Sequence, residues 1–299
     1  MQVLTEEISK RLPLGDESRR LFHGRGQCFS GYDDLQIDWF QPILLVILYR
    51  QREEVWLEQL RKLLCGLIPA AEAVVLQERF LPNAPSHLLC GKLPDQVVAV
   101  EAGLRYRLRV TEAQNVGFFP DVAVGRQLIK QIASGKNVLN LFAYTCSFSV
   151  ASLAGGARQV VNLDMNRGAL ELGRLNHQLN QLDLRCASFL PVELFRSFGK
   201  LKKLPRFDLV ICDPPAYQGK SFKAERDWPK LLSKLPQLLA PKAEILACLN
   251  APHLPPDFLL QLFAEVLPEA ELLQTLVPGE DFPEATAGCG VWMLHYRMP

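Results

Sequence analysis

The stretch Phe207-Asp208-Leu209-Val210-Ile211-Cys212-Asp213-Pro214-Pro215-Ala216-Tyr217 decides the fold of this chain. Its first part, Phe207 to Cys212, reads as a buried strand rich in Val, Ile and Leu. The strand stops at Asp213-Pro214-Pro215, and two successive prolines, with fixed φ and no N–H donor, stiffen the loop. A stiff acidic loop with an aromatic residue, at the carboxyl end of a buried strand, stands where open α/β sheets bind ligands. Asp213 and the backbone carbonyls offer acceptors, and Tyr217 offers a stacking face. An ordinary strand-to-loop turn has the same local pattern, so the rest of the chain must separate the two.

Working outward, Asn137-Val138-Leu139-Asn140-Leu141-Phe142-Ala143-Tyr144-Thr145-Cys146-Ser147 is another short apolar strand running into small and polar residues. Gln159-Val160-Val161-Asn162-Leu163-Asp164-Met165-Asn166 follows and ends in a carboxylate. Strand, turn, helix and a strand closed by an acid form the nucleotide-binding half of a doubly wound fold, in which the acid binds ribose hydroxyls. The turn has no glycine between Asn140 and Ala154. It is therefore poorly suited to a pyrophosphate, and the expected ligand is a nucleoside without a diphosphate.

These features together resemble class I methyltransferases that use S-adenosylmethionine. Asn140-Leu141-Phe142-Ala143-Tyr144-Thr145, Gly155-Gly156-Ala157 and Asp213-Pro214-Pro215 look like the bacterial large-subunit ribosomal RNA methyltransferase family, with its cytosine-C5 and guanine-N7 branches. Gly117-Phe118-Phe119-Pro120-Asp121 through Arg126, the late Asp281-Phe282-Pro283, and Arg20-Leu21-Phe22-His23-Gly24 with Gly31-Tyr32 through Asp38 extend the resemblance. It implies a Rossmann-like sheet of seven strands, the last antiparallel, preceded by a small α+β domain. The expected division is 1–115 and 116–299. The extra N-terminal RNA-binding module common in the family is expected to be absent.

The resemblance also implies site roles. Asp164 would take both ribose hydroxyls. Met165 would pack on adenine, or else be a core methionine. Glu193 stands where the family has Asp near the adenine amino group. Phe142, Tyr144, Thr145 and Ser147 line the path of the methionine half. Asp121 and Arg126 flank the cofactor, although Ala123 replaces an Arg usual between them. Cys146 stands where relatives often have Gly, so a positive φ there would be strained. Asp213, Pro214, Pro215 and Tyr217 form the catalytic loop, with Asp213 orienting a base through its amino edge and Tyr217 stacking on it. No metal is implied.

Chemistry separates the branches. A ring nitrogen already has a lone pair for in-line attack on the methyl carbon. Carbon-5 of cytosine must first be activated by a positioned thiolate. Asn250, not Cys248, aligns with the nucleophile, and Cys212 and Cys248 read as core residues. Direct transfer to a base nitrogen in RNA, ribosomal RNA or a ribosome precursor, is the favoured reading; a protein or small-molecule substrate and a degenerate binding module are the alternatives. The target base must be flipped or single-stranded.

Composition permits this without demanding it. The 299 residues are 48% hydrophobic with net charge +1, which gives no global electrostatic case for nucleic acid and leaves a local patch open. Candidate patches are Arg105, Arg107 and Arg109 on one strand face, Lys220, Lys223 and Arg226 interleaved with Phe222 and Trp228, and Lys200, Lys202, Lys203 and Arg206 on the approach to the same sheet edge. Each can also be read as a solvated surface, the arginine face first of all. Eight cysteines without a Cys-x-x-Cys pair, behind a polar N-terminus with no leader, read as reduced thiols in the cytoplasm; Cys65 and Cys186 also read as buried. The apolar run Pro42–Tyr49 is far short of the ~18–20 residues of a membrane span.

Local pattern predicts a short helix before residue 20, strands within 32–49, a helix over Arg52–Leu64 stopped by Gly66, and strands at Val74–Leu76 and within Gln96–Val110. It then predicts a helix over Asp121–Ala133 and another capped by Asn166 with a stripe of Leu172, Leu175 and Leu179. Further on come strands at Cys186–Leu190, Phe207–Cys212, Ala243–Leu249, Glu271–Val277 and Val291–Arg297, and helices around Trp228–Leu239 and Phe258–Val266.

Overall fold

Phe207–Cys212 is a central strand, and its apolar character on both sides follows from a sheet covered on both faces. The computed structural model describes residues 1–299 apart from Ala113, Lys220, Pro252, Pro256, Ala287 and Gly288. The chain divides into two compact units, Met1–Pro120 with Gly279–Thr286, and Asp121–Pro278 with Ala287–Pro299.

In the first unit, helix α1 (Gln2–Ser9) is followed by strands β1 (Arg19–His23), β2 (Leu35–Phe40) and β3 (Ile43–Leu48), helix α2 (Glu54–Leu67), and strands β4 (Ala73–Glu78) and β5 (Ser86–Gly91). A separate ribbon pairs β6 (Val97–Glu101) with β7 (Leu104–Leu108). The sheet order is β1-β2-β3-β4-β5, with only the β3–β4 pair parallel, as the α2 crossover requires. Leu21, Phe22, Ile37, Val46, Leu60 and Leu76 meet in its core.

Three details depart from the sequence reading. β1 was not anticipated, because four of its five residues are buried and it shows no period-two alternation. Edge strand β5 was missed for the opposite reason: none of its residues is buried. Helix α2 passes through Gly66, since Ile68 N–H still donates to Leu64 C=O and Ile68 is buried. The late segment Gly279–Thr286 belongs to this unit because Asp281 accepts from Arg11 Nε (3.0 Å) and Arg19 Nη2 (2.7 Å).

The second unit runs α3 (Ala123–Ile132), β8 (Asn137–Leu141), α4 (Ser147–Ala154), β9 (Gln159–Asp164), α5 (Arg167–Leu179), β10 (Ala187–Pro191), α6 (Leu194–Leu201) and β11 (Phe207–Cys212). A tight hairpin, β12 (Tyr217–Gln218) and β13 (Phe222–Lys223), leads into α7 (Ala224–Lys234), β14 (Leu239–Leu249), α8 (Phe258–Val266), β15 (Glu271–Leu276) and β16 (Trp292–Arg297). The seven-stranded order is β10-β9-β8-β11-β14-β16-β15, with β16 antiparallel to both neighbours. Alternate residues feed the two faces: Leu139, Leu141, Val210 and Cys212 pack with α6, α7 and α8, while Val138, Leu209 and Ile211 pack with α3 and α4.

Asn166 caps α5 as expected, its Oδ1 accepting from Ala169 N–H at 3.0 Å. The stripe on α5 does not hold, because Leu175 is 46% exposed and the buried face carries Leu172, Gly173, Asn176 and His177. Polar residues with internal partners occupy that face, which hides it from a hydrophobicity pattern. Helix α7 begins before Trp228, and Pro229 sits at its middle. Cys65 and Cys186 are only partly buried. Among the described residues no helix is long and apolar enough to cross a membrane.

Candidate cofactor and substrate site

Strands β10, β9, β8, β11 and β14 are mutually parallel, so their carboxyl ends share one edge. That edge gathers Asp164, the loop Phe142–Cys146, and Asp213 through Tyr217. A cleft open to solvent is lined there by Phe142, Asp164, Met165, Glu193, Gln218 and Phe222, among others. Asp164, Met165, Phe142 and Glu193 are thus brought together as the sequence suggested. Val192, Leu194, Phe195, Gln218 and Ser221 also line it, and no local pattern singled them out.

Asp164 is only 8% exposed. Its Oδ2 accepts from Tyr144 N–H and its Oδ1 from Asn166 N–H, both at 2.8 Å. Met165 N–H also bonds the carboxylate, and the accepting capacity left over faces the cleft. Burial pushes its carboxyl up, and these backbone N–H groups oppose that shift. Met165 is 46% exposed at the lip of the cleft, so it is not a core methionine. Glu193 caps α6, accepting from Phe195 N–H (3.0 Å) and Arg196 N–H (2.7 Å).

The first loop is built under strain. Phe142, Tyr144 and Cys146 have φ of 57°, 45° and 61°, in the left-handed region that non-glycine residues avoid. Its supports are buried. Thr145 C=O accepts from Asn176 Nδ2 at 2.9 Å. Gly173 leaves the space that Cys146 fills: a Cβ there would lie 2.5 Å from Cys146 Sγ. Behind the loop, Asn140 Nδ2 donates to Asn162 Oδ1 (2.9 Å), and Asn162 Nδ2 to Ser149 Oγ (3.0 Å). His177 completes the chain, with Nδ1 2.7 Å from Gly173 C=O and Nε2 2.8 Å from Ser149 Oγ. A carbonyl only accepts, so Nδ1 carries the proton and Nε2 accepts from Ser149. Burial lowers the His177 pKa and keeps the ring neutral. Ser147 opens α4 and is half-buried. The Cys146 thiol is fully buried and pushed well up by that burial, which removes it as a redox centre.

On the Asp-Pro-Pro loop, Pro214 is buried, Pro215 is exposed and bridges Asn250, and Tyr217 is 69% exposed. Burial pushes the Asp213 carboxyl up to about 7; the Asp121 charge adds to this and the Arg126 guanidinium opposes it. Arg126 is itself 1% exposed on α3. Asp121, Arg126 and Asp213 therefore form one electrostatic cluster, although Asp121 and Arg126 do not line the Asp164 cleft.

Cys212 and Cys248 are fully buried, and burial raises both thiols, so neither presents a thiolate. Phe222 and Trp228 are core residues, not aromatics facing a polymer. Lys223 and Arg226 pair with Glu225 and Asp227, and Lys220 lies outside the described residues. Lys200, Lys202, Lys203 and Arg206 precede β11, so they lie at the amino edge of the sheet, opposite Asp213 rather than beside it. On β7, Arg105 and Arg107 do share a face, opposite buried Tyr106 and Leu108.

Comparison with known proteins gives the family and the fold neighbours. The family described as S-adenosylmethionine-dependent methyltransferase matches residues 19–297. The ribosomal RNA large subunit methyltransferase I of Yersinia pseudotuberculosis is 29% identical over 254 residues, 81% of this chain and 63% of that protein, and the Yersinia pestis protein matches equally. The chain thus spans less than two thirds of the length of these relatives. Among solved structures, a candidate S-adenosylmethionine-dependent methyltransferase from Streptococcus mutans superposes with TM-score 0.87 at 23% identity, over 99% of this chain and 80% of that one. The tRNA m1G37 methyltransferase of M. jannaschii does so with TM-score 0.64 at 16% identity, over 99% and 77%. With the matched family spanning both the cleft and the Asp-Pro-Pro loop, the chain belongs to the S-adenosylmethionine-dependent methyltransferases.

Proposed function

We propose that this protein transfers the methyl group of S-adenosylmethionine directly to a ring nitrogen of a base in ribosomal RNA. The carrying observation is the exposed Tyr217 ring on the same proline-stiffened loop as the partly buried Asp213 carboxyl, which burial pushes up to about 7. A flat ring beside a poised acid fits a heteroaromatic base better than a flexible aliphatic substrate. The ribosomal RNA methyltransferase names of the Yersinia relatives support the RNA class.

The groups lining the cleft suit the cofactor. Asp164 keeps accepting capacity for the ribose hydroxyls, Met165 offers an exposed side chain to the adenine face, and Glu193 lines the same cleft. Phe142, Tyr144, Thr145 and Ser147 would hold the methionine half, with Asp121 and Arg126 flanking it. When bound, S-adenosylmethionine supplies a sulfonium methyl group open to in-line attack. Tyr217 stacks on the base and Asp213 accepts from its amino or ring N–H edge, which fixes the nitrogen lone pair in line. Stacking contributes roughly 1–3 kcal/mol toward holding a base out of its helix. An acid with pKa near 7 also suits proton acceptance where the target nitrogen carries hydrogen.

Direct transfer is favoured because Cys212 and Cys248 are buried and protonated. A covalent route would fall instead to Cys289, which is exposed shortly before β16, at the end where Trp292 pairs with Leu249. The test is methyl incorporation from labelled S-adenosylmethionine into deproteinised ribosomal RNA. The reading expects label lost on ribonuclease treatment and abolished by Asp213→Ala. Label that survives ribonuclease, or activity unchanged in Asp213→Ala, would refute it.

A further inference from the structure

We propose that the first unit carries an RNA-backbone contact of its own, an arginine–tyrosine–arginine stack of Arg25, Tyr49 and Arg79, which rests on the RNA reading above. Strands β1, β3 and β4 run in the same direction, because β1 and β3 are both antiparallel to β2 and β4 is parallel to β3. Their carboxyl ends therefore lie at one edge of the five-stranded sheet. Chain leaving β1 supplies Arg25, chain leaving β3 supplies Tyr49, and chain leaving β4 supplies Arg79. Residues distant in sequence form one cluster: the Arg25 guanidinium lies 4.5 Å from the Tyr49 ring centroid, and that of Arg79 5.7 Å.

The stack is built rather than incidental. Arg79 Nε donates to Gln77 Oε1 (3.1 Å), and Nη2 donates to Gln114 C=O (2.6 Å) and Asn115 Oδ1 (2.9 Å). Tyr49 Oη donates to Gln36 Oε1 at 3.1 Å. These partners are uncharged, so the guanidinium is oriented while its charge stays uncompensated. Among the described residues neither Arg25 nor Arg79 has a carboxylate within 4.0 Å. Glu284 feels the Arg25 charge from farther away, and its nearest base is His23 at 3.4 Å.

Neighbouring arginines on the same edge differ, and the difference is informative. Arg50 and Arg52 are bound by Asp34, with Asp33 on Arg50, and Arg52 also covers Trp56 at 4.8 Å. Those pairs hold the loop after β3, whereas Arg25 and Arg79 are left to an outside anion. Two guanidinium groups on one aromatic ring, neither with a carboxylate within 4.0 Å among the described residues, suit phosphodiesters of a single strand. Modest net charge is no obstacle, because phosphate recognition depends on the local patch.

The experiment measures binding of a fluorescein-labelled single-stranded RNA oligonucleotide to the full chain by anisotropy, between about 50 and 200 mM salt. Wild type is compared with Arg25→Gln and with Arg25→Gln/Arg79→Gln, and S-adenosylhomocysteine affinity reports on fold. Each single-strand phosphate contact contributes about 0.7 to the slope of log K against log salt. The single variant should lower that slope by about 0.7 and the double variant by about 1.4. Over this fourfold salt range, wild type should therefore lose about sevenfold more affinity than the double variant. S-adenosylhomocysteine binding should not change. If wild type binds RNA and both variants keep its slope, the stack is overturned while the RNA reading stands. If wild type binds no RNA, the RNA reading falls and takes the stack with it. The single variant, altering only an exposed side chain, keeps the test decisive if the double variant misfolds.

Discussion

Replacing Asp213 by Asn should stabilise the protein, and only at pH values where the carboxyl of the unfolded chain is charged. Its pKa is raised from an ordinary 3.8 to about 7 by burial and by Asp121. Below the unfolded pKa, both states hold the proton and the group contributes no difference. Between the two pKa values the unfolded chain loses the proton while the folded chain keeps it, so wild-type stability falls by about 1.4 kcal/mol per pH unit. Above pH 7 the loss is complete. Three units give a ceiling of about 4 kcal/mol, and residual exposure of Asp213 reduces the expectation to about 2–4 kcal/mol. Asn is nearly isosteric with the neutral acid and does not titrate. Urea unfolding of wild type and Asp213→Asn should therefore coincide near pH 4 and diverge toward pH 8, the variant being more stable. The same variant should lose methyl transfer, as expected where function holds a group in an unfavourable state. Equal stability differences at both pH values would refute a burial-raised Asp213.

Asp164→Ala should weaken S-adenosylhomocysteine binding about 100-fold by calorimetry, since two hydrogen bonds of about 1–1.5 kcal/mol each are lost; unchanged affinity would remove Asp164 from the cofactor site. Gly173→Ala should weaken cofactor binding and lower stability by about 1–3 kcal/mol, because the new methyl group meets Cys146 Sγ. Adding Cys146→Gly should restore both, and a double variant no better than Gly173→Ala would show that the two positions are not coupled. Cys289→Ser should keep methyl transfer within about twofold of wild type, whereas a loss of about 10³-fold would point to covalent activation of a pyrimidine carbon.

Much of the site was legible because the chemistry sits at the ends of regular elements. A buried strand announces itself by composition, and the residue that ends it stands at the sheet edge, as with Asp164 and Asp213. The alternation of strand and helix fixed a parallel sheet, and hence one shared carboxyl edge. What the sequence could not show depends on which residues meet across distance. Gly173 and Asn176 look like ordinary helix positions until the fold sets them against Cys146 and Thr145. Phe222 and Trp228 read as ring faces for a polymer, yet burial turned both into core. The lysines before Phe207 seemed close to Asp213 along the chain, but a strand separates them, and its length puts them at the other edge. The Arg25–Tyr49–Arg79 stack exists only because three strands end together. Sequence by itself determined the parallel sheet, the family and the two edge carboxylates, since these rest on local periodicity and on residues adjacent along the chain. Tertiary structure alone decided the raised pKa of Asp213, the support of the strained loop and the exposure of each arginine, since burial and charge proximity belong to the assembled fold.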